Sequence, residues 1–197
     1  MAAALLLGPP LPATCDAQGL EVRVSLTTGD VSITNLGVDP VVVDAYSIDS
    51  ASQSLLPGGW LSVADNYDSG VASDGSVDST SEWFVISQTT GSLAEGSLTS
   101  LTGSVAAGAS VSLGPIWSNS GIADLTFDYL ADVTEFSAAP VYFLEGDIDG
   151  NAVVSASDYT IWRDALSDPA AIPAADTDSD GVVDGDDLLV WQDQFGL

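Results

Sequence analysis

The sequence contains no lysine and no histidine, and its two basic residues are Arg23 and Arg163. Without a basic patch it has no electrostatic attraction for nucleic acid or for an anionic membrane surface. The missing histidine and lysine exclude serine–histidine and cysteine–histidine nucleophiles, Schiff-base chemistry, the P-loop and the usual zinc sites. The remaining groups are carboxylates, hydroxyls and amides, and such oxygen ligands favour calcium or magnesium.

Cysteine is nearly absent as well, since Cys15 is the single one. It lies in an N-terminal stretch whose apolar start and following small residues predict an export signal, complete or truncated, over residues 1–19. Thr14 is too large for lipid attachment at the following cysteine. We therefore expect a secreted or cell-surface protein without disulfide bonds. No stretch is apolar and long enough to predict a membrane span.

Acidic residues are abundant but unevenly placed. The 29 Asp and Glu give a net charge of −27, and 24 of them are Asp. Twelve of these Asp lie between residues 147 and 197. A general acidic surface would spread its acids over the whole chain and use Glu freely. Clustered Asp at alternate positions are instead typical of a metal loop with oxygen ligands.

Residues 20–145 have the pattern of a β domain. Short alternating or apolar runs are separated by turn-forming residues, and no run keeps a helical period over a useful length. The predicted strands are 20–27, 31–35, 41–49, 82–87, 97–101, 109–113, 123–130 and 141–144. This pattern predicts a mainly β protein, with an antiparallel β-sandwich followed by a small helical module.

The β region offers candidate functional features that also have ordinary explanations. The aromatic residues Trp60, Trp83, Trp117 and Tyr67 would form a sugar-stacking face or belong to the core. The loop 65–81 carries Asp residues that would hold a further ion or simply face solvent, since their spacing matches no ligand pattern. The five scattered Glu show no glycosidase motif.

Residues 146–197 contain an internal repeat with an offset of 29 residues. In the first copy the recurring residues are Asp147, Asp149, Val153, Val154, Asp158, Trp162 and Asp164, and their matches are Asp176, Asp178, Val182, Val183, Asp187, Trp191 and Asp193. A repeat at fixed spacing indicates two copies of one supersecondary unit.

Each copy opens with a twelve-residue loop that has oxygen-bearing side chains at positions 1, 3, 5, 9 and 12. Such side chains converge because the backbone curls around an ion, and the carbonyl at position 7 joins them. The predicted ligands are Asp147, Asp149, Asn151, Val153, Ser155 and Asp158 in the first loop, and Asp176, Asp178, Asp180, Val182, Asp184 and Asp187 in the second. A merely solvated acidic face would not repeat this pattern in register, so we predict two Ca²⁺ ions.

A helix is predicted after each loop. The helical positions i, i+3 and i+7 are occupied by Tyr159, Trp162 and Leu166 in the first copy and by Leu188, Trp191 and Phe195 in the second. We expect the two tryptophans to pack in a core shared by the helices. The apolar position 8, Val154 and Val183, predicts a short antiparallel pairing between the loops.

This segment resembles a type I dockerin module, in which two calcium loops are each followed by one helix. The resemblance covers residues 147–196, and Asp at position 12 fits dockerins better than the Glu of sensor EF-hands. It implies docking to a cohesin-like protein, with loop positions 10 and 11 at the contact. The whole layout also resembles secreted dockerin-repeat proteins of environmental bacteria.

The two copies differ at positions that matter for this resemblance. The tight turn at position 6 favours glycine, and the first loop has Ala152 where the second has Gly181, which costs about 1 kcal/mol. Positions 10 and 11 are residues 156–157 (Ala-Ser) in the first copy and 185–186 (Gly-Asp) in the second. We therefore expect unequal calcium sites and two different docking surfaces.

Two functions from different classes fit these features. The first is an exported, non-catalytic calcium-binding protein with a β-sandwich (20–145) carried on a dockerin-type attachment module (146–197). The second is a carbohydrate-binding or accessory component of polysaccharide degradation, with the polysaccharide as a partner, and it would expose aromatics on one sheet face. A glycoside hydrolase is a more distant third, because it needs two facing carboxylates in a cleft.

Overall fold

The computed structural model describes residues 19–66, 83–97, 104–119, 122–131, 134–167, 172–178 and 180–197. The export signal predicted at the N-terminus, Cys15, Tyr67 and most of the loop 65–81 lie outside these ranges. Within them the chain is mainly β and forms several sheets. None of the described helices is long and apolar enough to cross a membrane.

The described elements run from a β-rich N-terminal part to a helical C-terminus. The strands are β1 (Leu20–Ser25), β2 (Asp30–Asn35), β3 (Val41–Val42), β4 (Ala45–Ser50), β5 (Trp83–Gln88), β6 (Ser92–Ser97), β7 (Ser104–Val105), β8 (Ser110–Pro115), β9 (Leu125–Ala131), β10 (Thr134–Ala138) and β11 (Val141–Phe143). The helices are α1 (Val63–Asn66), α2 (Ala156–Ala165) and α3 (Gly185–Gln194), with 3₁₀ turns at Pro57–Gly59 and Pro173–Ala175.

Two sheets form most of the β part. The first has the strand order β11-β1-β2-β8 and the second the order β10-β9-β4-β6-β5, while β3 pairs with β7. The described pairs are antiparallel except β1 with β11, which run parallel with Arg23 beside Val141. The prediction of a purely antiparallel arrangement is wrong at this edge. Because β10 and β11 belong to different sheets, no hairpin joins them, and β11 enters the first sheet along β1.

The two sheets share one hydrophobic core. Burial alternates along β2 and β9, as expected for strands with one face turned inward. Residues from both sheets meet in this core, including Val22, Ile33, Ile48, Phe127 and Tyr129. The rings of Phe127 and Tyr129 stack with their centroids 5.4 Å apart. Burial of apolar surface therefore stabilises the β part.

The described tryptophans of the β part also belong to this core. Trp60, Trp83 and Trp117 are 9, 4 and 2 % exposed. The alternative of a sugar-stacking face is therefore wrong for these three residues, and the core alternative is confirmed. In such a position the rings contribute buried area to the fold and present no face to a ligand.

Two strand predictions differ from the structure in their bounds. The run 41–49 divides into β3 and β4, and β6 begins at Ser92, ahead of the strand predicted over 97–101, whose residues 98–101 lie outside the described ranges. β6 lacks alternation because it is an interior strand in which four successive residues, Leu93–Gly96, are buried. β10 lies where no strand is predicted. Periodicity fails for β6 because both of its faces are covered.

Glu95 on β6 is fully buried. Its carboxylate accepts hydrogen bonds from Tyr46 Oη, Val63 N and Ala64 N, the last two at 2.7 and 3.0 Å. Burial raises the pKa of Glu95, against the lowering effect of these bonds. This carboxylate, enclosed by three internal donors, ties α1 to the second sheet.

The helices α2 and α3 begin directly after the two predicted loops. Trp162, Ala165, Ala175 and Val183 form a second, smaller core, so the prediction that Trp162 is a core residue is confirmed. The buried face of each helix differs from the predicted one. It begins at the Asp of loop position 12, Asp158 in α2 and Asp187 in α3, one residue before the predicted start. Leu166 and Phe195, which share the predicted helical period, are accordingly 45 and 56 % exposed. Trp191, predicted to share the core with Trp162, is only partly buried and lies outside this cluster of described residues.

Candidate metal centres

The C-terminal repeat brings three carboxylates together in each loop. The groups are Asp147, Asp149 and Asp158 in the first loop and Asp176, Asp178 and Asp187 in the second, with ligand oxygens within 4.8 Å of one another. They occupy positions 1, 3 and 12 of both copies. Carboxylates this close repel one another, and a cation held between them would offset the repulsion.

The two loops also repeat the same hydrogen bonds. In each, the Asp at position 1 accepts from the N–H groups of positions 5 and 6, and the Asp at position 12 accepts from those of positions 3 and 9. The side chain at position 5 accepts from the N–H of position 7. The N···O distances of these bonds lie between 2.7 and 3.2 Å. The main chain therefore curls around its own carboxylates in both copies.

The Asp at position 12 joins each loop to its helix. Asp158 and Asp187 are 0 % exposed, and each closes a capping box with the helix N-cap, Ser155 for α2 and Asp184 for α3. Burial raises the pKa of Asp158, but the bonds from Asp149 N, Ser155 N and Ser155 Oγ outweigh it and hold the pKa below its ordinary value. The group is therefore ionised at neutral pH, as a cation ligand must be.

Asp178 shows the effect of the acidic crowding in the second loop. Loss of hydration and the negative charges of Asp180, Asp187 and Asp176 raise its pKa, although a bond from Asp180 N lowers it. A raised carboxyl pKa means that the folded loop disfavours the charged form relative to a freely solvated carboxyl. Repulsion among its carboxylates therefore works against the second loop when no cation is present.

The backbone at position 6 has the predicted left-handed conformation in both loops. Ala152 has φ +67° and Gly181 has φ +90°. An L-residue is strained in this region, whereas glycine is not. The alanine therefore places a local penalty on the first loop alone.

The other predicted ligands lie in the loops but outside the carboxylate groups. At position 9, the side chains of Ser155 and Asp184 accept from Ser157 N (3.3 Å) and Asp186 N (2.8 Å), and so cap α2 and α3. At position 5, Asn151 and Asp180 form the turn described above. At position 7 the side chains of Val153 and Val182 are about half exposed, and only their carbonyls are predicted to bind.

A reciprocal pair of tryptophan bonds joins the two copies. Trp162 Nε1 donates to Asp184 O at 2.9 Å, and Trp191 Nε1 donates to Ser155 O at 2.8 Å. Each helix thereby holds the position-9 carbonyl of the opposite loop. The sequence predicts shared packing of these rings but not their hydrogen bonds, and the signal for them is the recurrence of tryptophan at one repeat position.

Position 8 of the first loop pairs with the C-terminus. Val154 N donates to Leu197 O at 3.1 Å, and Val154 O accepts from Gly196 N at 2.9 Å. These bonds replace the predicted pairing with Val183. The cause is the turn after α3, where Gly196 has φ +90° and returns the chain to the first loop.

Comparisons with known proteins give little guidance for this chain. No family model matches the sequence, and no curated protein matches it significantly. A solved structure of a GH20 exo-β-N-acetylglucosaminidase from Vibrio harveyi, in an inactive mutant form, is similar to 63 % of this chain and 17 % of its own length. The identity is 13 % and the TM-score 0.28, so the similarity supports neither a common fold nor a common activity.

Proposed function

We propose that this protein is an exported, non-catalytic calcium-binding protein whose β-sandwich (20–145) is carried on a dockerin-type attachment module (146–197). The observation that carries the proposal is the pair of carboxylate groups at the same positions of two repeats. Their matching hydrogen bonds support a common role for both loops. An acidic surface without a binding role would not be expected to repeat the same carboxylate groups and hydrogen bonds in both loops.

The donor set fits calcium in its chemistry. Each loop offers carboxylate, amide or hydroxyl oxygens, and calcium accepts six to eight oxygen ligands in flexible geometry. Magnesium keeps several waters and is less suited to a loop built from protein ligands. Asp147, Asp149, Asn151, Val153, Ser155 and Asp158 would hold one ion, and Asp176, Asp178, Asp180, Val182, Asp184 and Asp187 the other. Each ion would neutralise its carboxylates and stabilise the loop against its helix.

The surface of the module supports a docking role. Positions 10 and 11 are exposed in both copies. Large apolar residues are exposed on the module as well: Tyr159, Leu166, Val182, Leu189, Phe195 and Leu197, at 37 to 63 %. Apolar surface of this kind is typical of protein contact sites. A cohesin-like protein is the proposed partner, and the unlike surfaces of the copies favour one orientation.

The metal part of the proposal is tested by counting calcium on the full chain at saturation. We expect two ions per chain, and none on the variant Asp158→Asn with Asp187→Asn. The matched control is Asp164→Asn with Asp193→Asn, which removes two exposed acids at equivalent repeat positions outside the loops. The control must retain both ions. Fewer than two ions on the wild type, or equal loss in the control, would contradict the proposal.

The docking part is tested with a recombinant type I cohesin domain as the probe. We expect binding in calcium and its loss in chelator, because the module needs its ions to present a folded surface. Ala156→Asp with Ser157→Asp alters positions 10 and 11 of the first copy, and Gly185→Ala with Asp186→Ser alters those of the second. One pair of changes should weaken binding and the other should not. Equal effects would show that both copies are used alike.

A further inference from the structure

The junction between the β part and the C-terminal module is held on both sides. β11 ends at Phe143 and the first loop starts at Asp147, so the connection is short. Leu26 N donates to Phe143 O at 2.9 Å, and Asp147 N donates to Leu144 O at 3.1 Å. A connection of this kind leaves little freedom compared with a flexible linker.

A chain of polar contacts crosses this junction. Glu145 Oε1 accepts from Ser25 Oγ at the end of β1, and Glu145 Oε2 accepts from Gln194 Nε2 at 2.8 Å. Gln194 Oε1 in turn accepts from Gly146 N at 2.8 Å. Ser25 and Gln194 are each 2 % exposed. The side chains of Ser25, Glu145 and Gln194 thus form a hydrogen-bonded network, which we call the relay.

The junction also packs directly against the module. A Cβ placed on Gly146 would lie 3.1 Å from Val154 Cγ1, 3.2 Å from Gln194 Oε1 and 3.2 Å from Trp191 Cα. The first loop and α3 therefore close on the junction backbone. Only glycine fits at this point without a shift of its neighbours.

Gln194 departs from the repeat in a way that the relay explains. With the offset of 29 residues, its counterpart in the first copy is Ala165, which is 0 % exposed. Burying an amide costs free energy unless its hydrogen bonds are made, and an apolar residue would serve the small core better. Both ends of the Gln194 amide instead form hydrogen bonds to the junction, Nε2 to Glu145 and Oε1 to Gly146.

We propose that the relay is a latch that holds the β part and the C-terminal module as one rigid body, so that the module presents its surface in a fixed orientation. Ser25 anchors the latch in the first sheet, where its Oγ also accepts from Thr27 N and Thr28 N. Gln194 anchors it at the end of α3. The proposal does not depend on which ion the loops bind.

The test is a distance distribution between spin labels at Thr126→Cys in β9 and Thr160→Cys in α2, in a Cys15→Ser background with calcium present. Both labelled residues are exposed. We expect a narrow distribution for the wild-type relay and at least a twofold broader one for Gln194→Ala and for Glu145→Ala. Gln192→Ala, an exposed glutamine on the same helix, is the matched control and must stay narrow.

Helical circular dichroism is recorded for every variant. If Gln194→Ala loses helical signal, the result for Glu145→Ala decides whether the latch exists, because Glu145 lies outside the helices and strands. A broad wild-type distribution with intact helices, or narrow distributions in both relay variants, would overturn the latch. A narrow wild-type distribution on a chain that binds no calcium would support the latch while contradicting the proposed metal sites.

Discussion

The β part and the C-terminal module differ in what stabilises them. Among the described residues, the β part has a core of 24 buried hydrophobic residues drawn mainly from both sheets, whereas the module has a core of four. The module instead concentrates carboxylates in two loops. A small core offsets little of the repulsion between like charges, so the proposed role of cations is to give the module the stability that the β part gains from burial alone.

The largest expected effect comes from removing a buried ring of the β part, compared with removing an exposed ring of the module. Phe127→Ala should lower the free energy of unfolding of the β part by about 3–5 kcal/mol, since it empties a buried site. Phe195→Ala in the module removes a ring that is 56 % exposed, and its effect should stay below about 0.5–1 kcal/mol. Denaturant unfolding of both variants measures the difference, and equal effects would contradict the contrast between the regions.

The next effect separates the two calcium loops. We expect the 176–187 site to bind more tightly than the 147–158 site, because it has Asp at all five side-chain positions and Gly181 in the turn. Titration calorimetry on Asp176→Ala should show loss of the tighter binding event, and on Asp147→Ala loss of the weaker one. If Asp147→Ala removes the tighter event, the 147–158 site has the higher calcium affinity and the ranking is wrong. Repulsion among the carboxylates of the second loop would then outweigh their contribution to binding.

The reciprocal tryptophan bonds predict a crossed effect. Trp162→Phe keeps an aromatic ring but leaves Asp184 O without its donor, at a cost of about 1–3 kcal/mol. It should therefore weaken the second site more than the first, although Trp162 follows the first loop. Trp191→Phe should do the reverse through Ser155 O. Calcium titration that resolves the two sites checks this prediction. If each variant instead weakens the loop that precedes its own helix, the crossed effect of the tryptophan bonds is contradicted.

The smallest effect concerns the turn of the first loop. Ala152→Gly should raise calcium affinity at the 147–158 site by about 1 kcal/mol, because glycine adopts φ +67° without strain. Ala156→Gly, in the first turn of α2, is the control and should give no gain. Calorimetry on both variants compares them, and a loss of affinity in Ala152→Gly would show that the alanine is not under strain.

The grouping of the carboxylates could be predicted from the sequence, because the same residue types stand at the same spacings in both copies of the repeat. Asp158 and Trp162 illustrate this, since each recurs at the same offset. The contacts of Gln194 could not be predicted, because they depend on where the junction returns to β1. The same holds for the parallel β11, whose partner is set by a crossover between sheets. The start of β6 at Ser92 could not be predicted either, because a strand buried on both faces has no alternation.

We expect calcium to fold the module and not the β part, and circular dichroism of the full chain with and without chelator measures this difference. Chelation should remove the helical signal of α2 and α3 and make residues 147–197 sensitive to protease, while the β signal and the buried environment of Trp83 and Trp117 persist. Calcium should restore the helices. An unchanged helical signal and protease resistance after chelation would contradict the claim.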